Sequence, residues 1–222
     1  MHDFRELILK HKGKRICVIG GGPLVLPDAD VYISTNAHGV DQVKPDYLLA
    51  MDERHSKAAM EMGAFLRSKS DAPIISPHPY ATYRMGKWPQ HPRFVLSGMI
   101  GTWAAWAMGA KVVLLAGCNA YGGDAGYVDE ARKIDRDVYC PVRVVGGGPL
   151  TKIWPEYDPA ERFGKYKPHS AIDGLKGLDG EIRIRARKPC LVGYTRLLKG
   201  QEFIAMRHEV ARLLKHLSLI HI

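Results

Sequence analysis

Gly20-Gly21-Gly22-Pro23, directly after an apolar run, is the sharpest chemical signal in this chain. Glycines let a backbone approach a phosphate closely, free amides there can donate to it, and a following proline suits a helix start. The third glycine of a dinucleotide fingerprint is missing and no acidic residue ends the next apolar run, which disfavours NAD. Four further stretches carry polar or small residues just after apolar runs. In Ser34-Thr35-Asn36-Ala37-His38, Asn36 has the groups to bond a base or ribose, or to make a common Asn turn. In Met51-Asp52-Glu53-Arg54-His55, Asp52 suits a helix N-cap. Ser97-Gly98 offers a hydroxyl and a helix start, as an anion site or as a simple cap. Gly117-Cys118-Asn119-Ala120-Tyr121-Gly122-Gly123-Asp124 mixes three glycines with polar side chains. Each stretch has a plain structural explanation. Five of them on one sheet edge describe a ligand cleft.

The elements that must carry these stretches follow from periodicity. Strands are expected at Lys14–Ile19, Asp30–Ser34, Asp46–Met51, Pro73–Ser76, Phe94–Leu96, Lys111–Ala116 and Pro141–Val145. Helical spacing predicts helices over Glu53–Ser68, about Met99–Met108 with Gly109 as C-cap, and Val128–Asp137. The Pro-, His- and Tyr-rich stretch Pro77–Pro92 reads as an irregular loop. Alternating strands and helices with short connections predict an α/β fold, a doubly wound, mainly parallel, Rossmann-like sheet with helices on both faces over residues 1–163. Ligands of such sheets bind beyond the carboxyl ends of the strands, where strand order reverses. A linker is expected at 164–180 and a small basic α+β module at 181–222. The module would have a period-two edge strand at Glu181–Arg185, short strands at Leu191–Tyr194 and Glu202–Ile204, and a helix over Arg207–Leu217. One string recurs: Val18-Ile19-Gly20-Gly21-Gly22-Pro23-Leu24 is echoed by Val144-Val145-Gly146-Gly147-Gly148-Pro149-Leu150. The flanking sequence does not repeat, so this is two strand exits rather than a duplication.

The 222 residues, 46% hydrophobic and 25% charged, are those of a globular protein with an ordinary core. No apolar run is long enough to span a bilayer and the start lacks a signal-peptide pattern, so a cytoplasmic protein is expected. Cys17, Cys118, Cys140 and Cys190 show neither metal-ligand spacing nor a disulfide framework. There is no nucleophile elbow, and His38, His55, His78 and His169 form no metal-ligand cluster in sequence. The formal charge is +9, and from Leu178 onward nine Lys/Arg stand against four Asp/Glu. A solvated basic face outweighs nucleic-acid binding, since no nucleic-acid motif accompanies it.

The segment Ser97-Gly98-Met99-Ile100-Gly101-Thr102-Trp103-Ala104-Ala105-Trp106-Ala107-Met108-Gly109-Ala110-Lys111-Val112-Val113-Leu114-Leu115-Ala116-Gly117 resembles the Ser-Gly helix, Gly-x-Lys, apolar strand and Gly-x-Asp segment of two related groups. These are the bacterial CMP-sialic-acid-dependent sialyltransferases and the archaeal 6-hydroxymethylpterin pyrophosphokinase-like family. The resemblance runs from Lys14 to Tyr157 and takes in the glycine turn, Asn36 and the closing Gly-Pro-Leu-Thr-Lys-Ile-Trp-Pro stretch. It implies a nucleotide, of CMP or ATP type, held by Gly20, Gly21, Gly22, Asn36, Ser97, Gly98, Gly117 and Asn119, with a small-molecule acceptor. Two positions differ: Gly21 stands where many relatives have Asn, and Asn119 where the segment has Asp. The stretch Tyr121–Val128 is too short for the lid that carries the sialyltransferase histidine. Asp124, Asp129, Asp52 and Tyr121 are the nearest candidates for catalysis, and for pyrophosphoryl transfer Asp52 or Asp124 would help hold Mg²⁺.

Gly193–Leu217 resembles small modules appended to bacteriophage proteins, which implies a phage or prophage origin and a docking role. Three functions are therefore expected. The first is a transferase moving a glycosyl or pyrophosphoryl group from a nucleotide donor. The second is a non-catalytic phage-associated structural or docking protein that keeps the fold and uses a protein partner. The third is a nucleic-acid-binding accessory protein.

Overall fold

In the computed structural model, residues 1–51, 56–85, 96–118 and 125–169 are described, together with five later strands named below. The chain begins with a two-residue strand β1 (His2–Asp3) and a 3-10 turn over Phe4–Leu7. There follow β2 (Arg15–Ile19), β3 (Val31–Thr35), β4 (Tyr47–Leu49), helix α1 (Ser56–Lys69), β5 (Ile74–Ser76), β6 (Tyr83–Arg84), helix α2 (Ser97–Ala107), β7 (Val112–Ala116), helix α3 (Ala125–Asp135) and β8 (Val142–Val145). These eight strands make one parallel sheet in the order β1-β6-β5-β4-β3-β2-β7-β8. The fold is the expected Rossmann-like α/β sheet. Strand order reverses between β2 and β7, which places the crevice of such folds beyond Ile19 and Ala116.

The central strands are continuous apolar runs because both their faces are covered. Ile16 to Ile19 and Val112 to Ala116 are buried without exception. Register pairs Ile19 with Ser34 and Ser34 with Leu48, so these three side chains share one face. The other face, with Ile16, Val18 and Ile33, lies under α2, where Gly101 packs so closely that a β-carbon would come 2.7 Å from a Val18 methyl. Every residue of α2 is buried. Gly109, at φ +95°, ends that helix: its N–H donates to the Trp106 carbonyl and the Ala110 N–H to that of Ala105, the paired bonds of a Schellman motif.

Several expectations need correction. Helix α2 starts at Ser97, with Leu96 as its N-cap and no side-chain cap bond, so Ser97 is the first helical residue and not the cap. Leu96 is therefore not strand, while Phe94 and Val95 lie outside the described residues. Helix α3 is shifted two to three residues toward the N-terminus. The supposed irregular loop contains β6, which pairs with both β5 and β1. Pro23 starts no helix; residues 23–29 run without regular structure. Leu24, Leu26 and Ala29 of that stretch, with Tyr157 and Phe163, cover Cys17, Ile19, Leu114 and Val145. Helix α1 covers the same face only farther out, through Leu66 on Leu48, Ala50 and Ile74. Half of one face is thus roofed by extended chain where a helix was expected.

Residues 1–168 form one compact unit and residues 169–222 a second. In the second, β9 (Glu181–Ala186) is flanked by β12 (Glu202–Met206) and β13 (Leu219–His221), both antiparallel to it. The period-two strand therefore sits in the middle of its sheet and not at an edge. A hairpin pairs β10 (Cys190–Val192) with β11 (Thr195–Leu197). The expected helix over 207–217 lies outside the described residues. No described helix is long and apolar enough to cross a membrane.

Candidate functional site

At the reversal point the exits of β2 and β7 are zipped together. The N–H of Gly20 donates to the Ala116 carbonyl and that of Gly22 to the Gly117 carbonyl, each at 2.8 Å. The backbones approach so closely that a β-carbon on Gly20 would lie 2.6 Å from the Gly117 oxygen, and one on Gly22 2.9 Å from it. Gly117 itself adopts φ +65°, and its own β-carbon would meet the Gly20 oxygen at 2.8 Å. Two of the turn's three amides are thus consumed by the neighbouring strand exit and are not available to a phosphate. Gly21 and Gly22 nevertheless remain exposed at the lip.

The β3 exit folds over this lip. Asn36 and Ala37 are both left-handed, at φ 49° and 62°, a conformation Asn tolerates best among residues with side chains. The Ser34 hydroxyl donates to the His38 carbonyl at 2.7 Å and the His38 N–H to the Thr35 carbonyl at 2.9 Å, which holds the turn. The Thr35 hydroxyl donates to the Ile19 carbonyl at 2.7 Å and ties the turn to β2. The exposed His38 imidazole lies over Gly21, 2.8 Å from where a β-carbon would stand. Gly21 is therefore paired with His38: an Asn at 21 would require the ring to move.

The start of α2 contributes Ser97 and Gly98, and it is already furnished with a negative charge. Glu130 of α3, itself buried, accepts the Leu96 N–H at 3.1 Å. A carboxylate at a helix N-terminus is stabilised by the exposed amides and the helix dipole, and it opposes a second anion there. Gly98 also lies under the Tyr127 hydroxyl and the Cys118 sulfur. Cys118 bonds Tyr127, and burial pushes its thiol up to about 12, so it stays protonated and is no nucleophile.

The structure thus brings Gly20, Gly21, Gly22, Asn36, Ser97, Gly98 and Gly117 to the carboxyl edge of one sheet. Asp52, Asn119, Tyr121 and Asp124 lie outside the described residues. Sequence reasoning missed Glu130. Its signal was available, since Tyr127, Glu130, Ala131 and Ile134 fall on one helical stripe and a Glu on a buried stripe needs a partner. Among the described residues no group of three or more His, Cys, Asp or Glu could hold a metal ion.

No family model matches the chain, and no curated protein matches it. Solved structures do. The sialyltransferase CstII from Campylobacter jejuni, in complex with the substrate analogue cytidine-5'-monophosphate, superposes with a TM-score of 0.51 at 10% identity, over 73% of this chain and 97% of that one. A variant of the α-2,3/8-sialyltransferase CstII follows at 0.47 and 11% identity, over 72% of this chain and 99% of that one. The chain shares the sialyltransferase-like Rossmann-type fold.

Proposed function

We propose that the protein binds a nucleotide sugar of CMP type at the β2–β7 reversal and works as a glycosyltransferase-like enzyme on a small-molecule acceptor. The observation that carries this reading is the pair of zipped, side-chain-free exits at the topological switch point, with Asn36 held left-handed beside them. The likeness of fold to a protein solved with cytidine-5'-monophosphate supports it. Transfer from such a donor breaks the bond between the sugar and its phosphate oxygen, so the crevice must hold the departing phosphate. In this chain Gly21, whose amide is the one of the three not bound to the β7 exit, would meet that phosphate at the exposed lip, Asn36 faces the base or ribose, and Ser97 with Gly98 closes the far side. Asp124, Asp52 or Tyr121 would handle the acceptor's proton.

The test is thermal stabilisation by CMP, CTP, ATP and GTP. At a hundred times its dissociation constant the right nucleotide adds about 2.7 kcal/mol. Asn36→Gly keeps the left-handed turn and deletes the carboxamide, so the shift should shrink with the unliganded melting point little changed. No shift with any nucleotide overturns the reading. Gly22→Asp is not a clean probe, because its β-carbon would strike the Gly117 carbonyl whether or not a ligand binds. A shift with ATP and Mg²⁺ alone would favour pyrophosphoryl transfer.

A second reading, binding without turnover, is favoured by Glu130 at the start of α2 and by Asn119 in place of Asp. A nucleotide shift without release of CMP from any CMP-sugar would support it. The basic second unit is proposed to dock the protein on a partner, as the phage resemblance implies; a salt-sensitive DNA gel shift would instead favour nucleic acid.

A further inference from the structure

The amino edge of the sheet carries a second concave site, at the far ends of the strands that form the crevice. A cavity of about 220 Å³ opens where β7 and β8 begin. Lys111, the residue before β7, and Cys140 with Pro141, before β8, form one side. The stretch carrying Phe163, Lys165 and Lys167 forms the other. Three lysines line this small space and none of the lining residues is acidic. None of the three makes an ion pair with a described residue. Of the acids nearest in sequence, Glu161 forks onto Arg143 at 2.8 and 2.6 Å, and Asp137, two residues before Tyr139, is not among the lining residues. Three lysines around one concavity with no acid in its lining make it positive, and an anion is attracted there. The body of such an anion would lie between Phe163 and Tyr139, a residue that is 51% exposed.

We propose that this cavity is an anion site for a small phosphate ester or pyrophosphate, distinct from the nucleotide crevice. A parallel strand rises about 3.3 Å per residue, and the five-residue β7 separates Lys111 from Gly117. The site is therefore roughly 20 Å from the crevice and acts independently of Asn36 and the glycine turn. Its lysines grip phosphate oxygens as point charges, and Lys111, fixed at the root of β7, sets the position of the anion.

Calorimetric titration of the full chain with inorganic pyrophosphate, at low and at moderate salt, tests this. Saturable binding that weakens with salt is expected. Each of Lys111→Gln, Lys165→Gln and Lys167→Gln should weaken it by about threefold, and the triple variant by roughly thirtyfold, on the scale of single exposed charge pairs. Hydrogen exchange locates the ligand: protection should appear over 139–141 and 163–167. The triple variant should keep whatever thermal shift a nucleotide gives the unaltered chain, which separates failure of this site from failure of the crevice. Protection confined to 20–22 and 36–38, or undiminished binding by a triple variant with an unchanged melting point, overturns the proposal. So does a duplex DNA shift that the triple variant loses while pyrophosphate binds neither protein, since the lysines would then serve an extended polyanion.

Discussion

The string Gly-Gly-Gly-Pro-Leu occurs twice after a β-branched strand, and the two copies fold in opposite ways. At the β2 exit none of the three glycines has positive φ, two amides are bound to the β7 exit, and the proline starts no helix. At the β8 exit all three are left-handed, at φ 80°, 71° and 108°, and Pro149 opens a 3-10 turn over Pro149–Lys152 with Gly148 as its cap. The cause is the neighbourhood. β2 runs between two strands whose exits press on it, while β8 has β7 on one side and only the Pro155–Tyr157 stretch on the other. Glycine is demanded in the first copy by other atoms and in the second by its own torsions.

Substitutions can break this contrast. The largest effect is expected at Gly117, the partner of the first copy. Gly117→Ala combines positive φ with a β-carbon 2.8 Å from the Gly20 oxygen, and should cost about 3 kcal/mol, read from the denaturant midpoint. Next comes the third glycine of each copy. Gly148, at φ 108° and ψ −178°, lies in a region essentially closed to other residues, so Gly148→Ala should cost about 2 kcal/mol through torsion alone. Gly22→Ala should cost a similar amount through collision with the Gly117 carbonyl. Gly117 cannot be altered to relieve it, which distinguishes the two causes. At the middle glycine, Gly21→Ala displaces only an exposed imidazole and should cost less than about 1 kcal/mol. The loss should vanish in a His38→Ala background; if it persists, the backbone rather than the ring is the constraint.

The smallest effect concerns the segment that braces the second copy. Arg143 holds the Glu161 carboxyl below its ordinary range. A depressed carboxylate contributes stability that is present above its unfolded pKa and is lost as pH falls through the folded one. The native fold should therefore weaken on acidification below about pH 4.5 by less than about 1 kcal/mol from this pair, and Glu161→Gln should flatten that part of the curve. An unchanged acid limb in the variant would mean that the pair contributes nothing measurable.

Much of the sheet was legible. β2, β3, β5, β7 and β8 are short β-branched runs stopped by glycine, proline or polar residues, and local composition suffices for those. The two-residue strands β1 and β6 carry no such signal, because their pairing depends on meeting each other. The strand exits were legible as a set, and Gly20 to Gly22, Asn36, Ser97, Gly98 and Gly117 do share one edge. What the amides of Gly20 and Gly22 bond was not legible, since that depends on which strand comes to lie beside β2. That Glu130 needs a buried partner could be read from its helical stripe, but that the partner is the Leu96 N–H at the head of α2 could not, since the contact joins two helices through a single side chain. Pro23 misled for the same reason: its local preference for a helix start lost to Leu24 and Leu26, which bury themselves against the sheet.

The zipped exits also set an order of events. Cys118 and the Val18 carbonyl that its thiol reaches are 100 residues apart in the chain. Closing so long a loop is entropically costly, and contacts of this kind form late in folding. A nascent chain that has not yet delivered β7 has β2 with an open flank and a glycine turn with nothing to grip. Competence to hold a ligand at this edge would then arrive all at once with β7, making binding a reporter of completed folding.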